Sequence, residues 1–201
     1  MFAFHPIVVA PTIEKGLDFS ILLDQSGSLK SGDLIFRRGI GAGRRIVELV
    51  DEQSQFSHVG LIQVLNGETF VIHAMPEALH GAGWVRQQAL ADFLSESTAV
   101  AIYRLKSDYQ HLAETAVAQT IPWIDTVPFD NAFDFSSPDS LYCTELVWLA
   151  YQQAGIDLVD GQFDELELPF QFDGTYLLPS RLSQSPYLQT VVSIPNNLEE
   201  K

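Results

Sequence analysis

Three residues of this 201-residue sequence carry side chains suited to nucleophilic catalysis: Cys143, His58 and His73. Cys143 is the only cysteine, so no disulfide can form within the chain and a cysteine-rich zinc site is ruled out. A thiolate that attacks a carbonyl needs a base to take its proton and a third group to orient that base. One cysteine and two histidines supply all three roles, provided that the fold brings them together.

The two histidines fall in a predicted β-hairpin. Residues 57–75 consist of two apolar, β-rich runs that flank Asn66-Gly67, the dipeptide most typical of a two-residue hairpin turn. This turn fixes a register in which His58 and His73 are diagonal neighbours on one face, with Cβ atoms roughly 7–8 Å apart or less. Gly60 stands opposite His73, and we expect it to leave the space between the two rings open.

Cys143 is predicted to lie in the first turn of a helix over residues 141–154. Asp139 and Ser140 are favourable N-cap residues, and Gly155 is a typical helix stop. Unpaired N–H groups and the helix dipole favour negative charge at such a position, which lowers the pKa of a thiol. We therefore expect a Cys143 thiolate with a histidine as its neighbour.

Each of these residues also has a structural interpretation. A single cysteine in a soluble protein is commonly a small buried hydrophobe, and a histidine in an apolar strand is commonly a hydrogen-bonded core residue. Cys143, His58 and His73 could instead be zinc ligands, but no carboxylate is spaced to join them and no H-E-x-x-H helix is present. We expect no metal and no cofactor, and the pattern alone leaves catalysis and core packing open.

The rest of the sequence predicts helices and strands that are segregated along the chain, which favours an α+β fold over a doubly wound one. Residues 1–27 are expected to form an amino-terminal arm, residues 28–165 the catalytic domain, and residues 166–201 a segment that wraps the same domain. Besides the hairpin and the Cys143 helix, the patterns predict strands over 34–36 and 99–105 and helices over 44–52, 84–94 and 109–123.

Composition limits the possible partners. The net charge of −15 lacks the basic footprint that supplies most nucleic-acid affinity, and it disfavours anionic membrane surfaces. No apolar run reaches the roughly 18 residues of a membrane helix, and the amino terminus lacks a basic n-region and a cleavage site. We expect a cytoplasmic protein with a small peptide or acyl substrate, no nucleic-acid partner and no stable membrane insertion; no oligomeric state is indicated.

Basic and aromatic residues near these elements are candidates for substrate binding. Arg37, Arg38, Arg44 and Arg45 form a basic cluster in an acidic chain, and such clusters are commonly solvated surfaces. Arg44 and Arg45 are the candidates to receive a carboxylate or phosphate on the substrate. Tyr142, directly before the cysteine, is a candidate to line the pocket or to donate to an oxyanion.

Three segments in order carry a family resemblance that covers roughly residues 28–160. The sequence resembles the YiiX/YaeF-like branch of the NlpC-type cysteine peptidase superfamily, whose members have a circularly permuted papain-like fold. In that fold the histidine strands precede the cysteine helix, as they also do in the related lecithin–retinol acyltransferase-like enzymes. The matching segments are Gly32-Asp33-Leu34-Ile35-Phe36, Ser57-His58-Val59-Gly60 and Tyr142-Cys143-Thr144-Glu145-Leu146-Val147.

The resemblance implies a role for each candidate residue. Cys143 would be the nucleophile, His58 the general base, and His73 the orienting group, at a position where many relatives have Glu. It further implies an α+β fold with an antiparallel sheet against helices, and a cysteine amidase or peptidase acting on a cell-wall-type peptide or similar small substrate. A lipid acyl hydrolase or acyltransferase is the alternative, and a non-catalytic binding module on the same fold is a second one.

Overall fold

The computed structural model describes residues 19, 22, 26–40, 47, 51, 54–76, 83–133, 135, 137, 139–166 and 174–194. Within these residues, six strands form one antiparallel sheet in the order β4-β3-β2-β1-β5-β8, and a separate hairpin is formed by β6 and β7. The strands are β1 (Leu34–Gly39), β2 (His58–Leu65), β3 (Glu68–Met75), β4 (Trp84–Ala89), β5 (Ser97–Leu105), β6 (Asp164–Leu166), β7 (Gly174–Tyr176) and β8 (Leu188–Ile194).

Helices cover both faces of the sheet. Four α-helices are described over their whole length: α1 (Leu90–Ser95), α2 (Ala113–Thr120), α3 (Cys143–Ala154) and α4 (Pro179–Ser183). Among the described residues, 3₁₀ helices occupy Ser26–Ser28, Ser107–Leu112 and Ile121–Trp123. One face packs against α2 and α3, and the other against α1. With both faces buried, this antiparallel sheet carries near-continuous apolar strands instead of the usual alternation. The α+β architecture agrees with the sequence-based prediction.

The predicted hairpin and its register are confirmed. Asn66 and Gly67 have φ values of 53° and 83°, as a type I′ turn requires, and Leu65 pairs with Glu68. The space at Gly60, however, is filled and not open: a Cβ there would lie 2.6 Å from Cγ1 of Val71, 2.9 Å from a backbone oxygen and 3.0 Å from the Cβ of the facing histidine. Glycine is needed because the two strands approach so closely.

The segment 84–94 was predicted as one amphipathic helix, and that prediction is wrong in its first half. Residues 84–89 form β4, which pairs with β3 from Met75↔Trp84 to Phe70↔Ala89. The helical spacing begins only at Leu90, whose helix buries apolar residues at the first, fourth and fifth positions. A free sheet edge at β3 outweighed the weak helical periodicity of these six residues, because pairing satisfies the backbone donors and acceptors of both strands.

Other predicted elements are recovered with shifted boundaries. The helix predicted over 109–123 is a 3₁₀–α–3₁₀ run over 107–123, and Gly155 ends α3 with a φ of 105°. The helix predicted over 44–52 and most of the amino-terminal arm lie outside the described residues. The carboxyl-terminal segment, expected to wrap the domain, contributes β8 to the edge of the main sheet. Across the described part of the chain, the helices fall short of the length and apolar character needed to cross a membrane.

The close approach at Gly60 generates a stability prediction. Gly60→Ala should lower the free energy of unfolding by roughly 1–3 kcal/mol, because the new Cβ overlaps backbone and β-branched neighbours that cannot move away freely. Gly27→Ala is the matched control, since an added Cβ there meets nothing within 4 Å. Urea unfolding of the three proteins measures the effect. A Gly60→Ala protein as stable as the control would contradict this account of the hairpin.

Candidate active site

The two histidines of the hairpin contact each other directly. His58 is the first residue of β2, His73 lies in the middle of β3, and Nε2 of His58 is 2.8 Å from Nδ1 of His73. The rings meet edge to face, with centroids 5.0 Å apart. Phe93 of α1 packs against both rings at 5.9 and 5.3 Å. The prediction that the two histidines share one face of the hairpin is confirmed.

Arg37 places a buried positive charge beside this pair. It is the cross-strand partner of His58 on β1, and its guanidinium lies 4.3 Å from the centroid of the Phe93 ring. Nη1 donates to the Phe93 carbonyl oxygen at 2.9 Å and lies 3.0 Å from the carboxylate of Glu96, while Nη2 contacts Sδ of Met75 at 3.6 Å. A buried guanidinium held this firmly adds a fixed positive potential to the site.

Both imidazoles are neutral near neutral pH. Burial lowers the pKa of His73 to about 3, with Arg37 as the second cause, and the same two causes in the same order lower the pKa of His58 well below its usual 6.5. Two neutral rings joined by one nitrogen–nitrogen contact share a single proton between them. The pair can therefore orient a proton transfer, but neither ring is a resting cation.

Cys143 is the first residue of α3, at the helix start that the sequence predicted. Its Sγ accepts hydrogen bonds from the backbone N–H groups of Val59, Thr144 and Cys143 itself. Burial nevertheless raises the pKa of the thiol to about 11, because its effect exceeds that of these donors and of Arg37, all of which lower it. The expected resting thiolate is therefore wrong: with 8% of its surface exposed, Cys143 rests as a thiol.

Cys143 and the two imidazoles are associated with opposite faces of the sheet. Helix α3 packs on the face that carries Val59, whereas the imidazoles lie on the opposite face with Phe93. The pairing of β2 with β3 ends at Leu61↔Ile72, so beyond this pair the backbone N–H and C=O groups of the two strands are no longer paired with each other. Odd-numbered N–H groups of β2 point toward β3, which frees the Val59 N–H for Sγ.

Val59, whose N–H interacts with the sulfur, directly follows His58 in β2. Among the hydrogen bonds of the described residues, none joins Sγ directly to the His58 ring. Contacts between a nucleophile and its base are commonly long in the free enzyme and tighten in the substrate complex. The structure thus brings His58 and His73 into contact and places the sulfur at the N–H of Val59, the residue after His58, while an approach of Sγ to the His58 ring stays a prediction.

The backbone of Leu177 holds the start of α3 through two hydrogen bonds. The hydroxyl of Thr144 donates to the Leu177 carbonyl oxygen at 2.5 Å, and the Leu177 N–H donates to the Tyr142 hydroxyl at 3.0 Å. Glu145 accepts the backbone N–H of Tyr142 at 3.5 Å, so it caps the helix, as expected for a residue that points away from the cysteine. The Tyr142 hydroxyl is thus engaged with the backbone, and its role toward substrate stays a prediction.

The other predicted binding residues are not brought to the site by the described structure. Arg44 and Arg45 lie outside the described residues. A cavity of about 570 Å³ is lined by Lys30, Asp33 and Arg104, at the opposite end of β1 from His58, and none of the three candidate catalytic residues lines it.

Sequence reasoning missed three neighbours of the histidines. Arg37 was considered only as part of a basic cluster, Phe93 was assigned to a longer helix, and Gln88 fell in the half of that helix that is a strand. If residues 84–89 had been recognised as a strand, the alternation of side chains between its two faces would have placed Gln88 on the same face as His73. The pairing of β1 with β2 gives no comparable signal for Arg37, because a long connection joins the two strands instead of a two-residue turn.

Comparisons with known proteins identify the family and support the fold. A family model described as permuted papain-like amidase enzyme, YaeF/YiiX, matches residues 28–192. The chain is 25% identical over 127 residues to Uncharacterized protein YiiX of Escherichia coli strain K12, an alignment that covers 62% of this chain and 58% of YiiX. The chain thus matches less than two thirds of that relative's length.

A solved structure has the same fold. The crystal structure of the metalloprotein yiiX from Escherichia coli O157:H7 superposes with a TM-score of 0.65 at 21% sequence identity. The superposition covers 82% of this chain and 97% of that one. Together with the match over residues 28–192, this shows that the chain belongs to the YaeF/YiiX family of permuted papain-like amidases.

Proposed function

We propose that this chain is a cysteine amidase in which Cys143 attacks an amide carbonyl and forms an acyl-enzyme that water resolves. The observation that carries the proposal is the 2.8 Å contact of His58 Nε2 with His73 Nδ1, beside a sulfur held at the Val59 N–H. Acyl transfer needs a nucleophile, a base and an orienting group, and we assign these roles to Cys143, His58 and His73. The family description as amidases supports the reaction class.

Proton transfer in this site is coupled to the attack of sulfur on carbon. The raised pKa of the thiol, about 11, and the lowered pKa of His58 both make proton transfer from the thiol to the imidazole unfavourable in the resting site. A resting thiolate–imidazolium pair is therefore disfavoured, and His58 takes the proton as the S–C bond forms. The resulting imidazolium, destabilised by burial and by Arg37, is a strong acid that readily protonates the leaving amine.

The backbone donors at the sulfur also fit this sequence of events. The N–H of Cys143, at the first position of α3, has no carbonyl partner within the helix, and a donor at such a position can stabilise the oxyanion of a tetrahedral intermediate. His73 orients His58 through a hydrogen bond but, being neutral, supplies no negative charge to the imidazolium. The base is thus weaker than one oriented by the Glu of many relatives.

The substrate class proposed is an amide of a cell-wall-type peptide or a similar small molecule. An amide with a free carboxylate would suit the predicted contacts of Arg44 and Arg45. Turnover of purified peptidoglycan peptides, compared with turnover of phospholipid vesicles, separates this substrate from the acyl lipids of the alternative. Amine release from the peptides with intact vesicles supports the proposal, and the converse result favours the lipid enzyme.

The description of the Escherichia coli O157:H7 protein as a metalloprotein does not fit the described residues of this chain. Across them, no three or more His, Cys, Asp and Glu side chains are grouped to hold a metal ion. Such sites need three or four ligands from these residue types. No step of the proposed mechanism is assigned to a metal.

Loss of either partner in the proton transfer should abolish most activity. With p-nitrophenyl acetate as a generic acyl probe, Cys143→Ala should remove turnover, and His58→Ala should lower it by about 10²–10⁴-fold because the base is lost. His111→Ala is the matched control, since this histidine is exposed and lies at the far cavity. Full activity of Cys143→Ala, or equal losses in the His58 and His111 variants, would contradict the assignment.

The protonation of the two histidines predicts how stability depends on pH. Each binds its proton more weakly in the folded chain than in the unfolded one, so the unfolded state takes up more protons as the pH falls. The contribution of these two histidines to the free energy of unfolding should therefore be constant above pH 6.5 and decrease from there toward pH 3. His73→Asn should flatten this decrease, whereas His111→Asn should leave it. Denaturant unfolding across this range measures the slopes, and identical slopes in all three proteins would refute the protonation states.

A further inference from the structure

The proton shared by His58 and His73 has two possible positions, and only one of them permits catalysis. If it is on Nε2 of His58, then Nδ1 of His58 is unprotonated and can accept the thiol proton. If it is on Nδ1 of His73, then His58 carries its own proton on Nδ1 and cannot act as the base. Whichever group binds the remaining nitrogen of His73 decides between the two tautomers.

Gln88 of β4 lies against that remaining nitrogen. Its cross-strand partner is Val71, and the next pair along the face is His73↔Arg86, so Gln88 and His73 are diagonal neighbours on one face. Nε2 of His73 and Oε1 of Gln88 are both buried, and each is without a hydrogen-bond partner of full geometry among the described residues. Buried polar atoms are normally hydrogen-bonded, so two unpaired polar atoms on neighbouring side chains indicate a hydrogen bond between them.

The buried atom of Gln88 that lacks a partner is its amide oxygen, which can only accept, so the ring N–H of His73 would be the donor. Hydrogen bonding to the Gln88 side chain raises the pKa of His73, against burial, Arg37 and Arg86, which all lower it. A bond that raises the pKa of a histidine is one in which the ring N–H donates, and the amide oxygen is an acceptor. The guanidinium groups on β1 and β4 carry donors only, so neither can take this role.

We propose that Gln88 is a positioning residue that fixes the catalytic tautomer of both histidines. Its Oε1 accepts the Nε2–H of His73, which leaves Nδ1 of His73 to accept the Nε2–H of His58. Nδ1 of His58 is then the base for Cys143. The role rests on the proposed function, but the tautomers themselves are a property of the resting protein and can be measured without a substrate.

The experiment compares substitutions at Gln88 with the same substitutions at Gln87. The Gln87 side chain points to the opposite face of β4 and donates to the amide oxygen of Gln63, so Gln87→Leu and Gln87→Glu are matched controls. Heteronuclear NMR of the ring nitrogens in the full chain reports the tautomer of each histidine. The pH profile of p-nitrophenyl acetate turnover reports the consequence for catalysis, and thermal unfolding reports whether each variant is folded.

Wild type should show both His58 and His73 protonated at Nε2. Gln88→Leu should shift His73 toward the Nδ1–H form and lower turnover by about tenfold or more, because the wrong tautomer of His58 cannot accept the thiol proton. Gln88→Glu should keep the Nε2–H form and raise the pKa of His73, which moves the acidic limb of the pH profile. Both Gln87 variants should match wild type in tautomer and profile.

The outcomes separate this inference from the proposed function. A wild-type His73 protonated at Nδ1, or a folded Gln88→Leu protein with unchanged tautomers, overturns the role of Gln88 even if Cys143→Ala is inactive. If the predicted tautomer shifts are seen but the Cys143→Ala protein is fully active, Gln88 still sets the tautomer. The proposed function is then overturned. If Gln88→Leu is unfolded, Gln88→Glu decides alone: an unchanged His73 pKa rejects the inference.

Discussion

The hydrogen bond between His58 and His73 is the contact on which the rest of the site depends. It requires two strands in a single register, a side chain no larger than hydrogen at Gly60, and a type I′ turn at Asn66-Gly67 that fixes the pairing. A slip of one residue would turn one ring to the other face of the sheet. The site is therefore determined chiefly by local features of one hairpin, with Phe93 packed across the rings it presents.

Burial dominates the electrostatics of this site. The helix start and three backbone donors all favour a Cys143 thiolate, yet desolvation outweighs them and leaves a thiol. Desolvation also keeps both imidazoles neutral, and the positive charge of Arg37 acts in the same direction on them. Cys143 and His58 therefore form no thiolate–imidazolium pair at rest. In the proposed mechanism, charge separates between them only as the S–C bond forms.

The sequence was informative where structure is local. The Asn66-Gly67 turn predicted the register of β2 and β3, and the helix signals around Cys143 predicted its position to within two residues. Interactions between distant segments were beyond such reasoning. The edge strand at residues 84–89 depends on a free neighbour, β3, and the pairing of Arg37 with His58 depends on the long connection between β1 and β2. The packing of α3 against the face of the sheet that carries Val59 likewise joins distant segments, so no single segment encodes it.

Mass spectrometric mapping of the acyl group after reaction with p-nitrophenyl acetate and rapid acid quench tests the central claim most directly. The account predicts one acetyl group per chain on Cys143, in wild type and, accumulating more slowly, in His58→Ala. The absence of an acyl-enzyme in an actively hydrolysing sample, or an acetyl group on any other residue in its place, would contradict it.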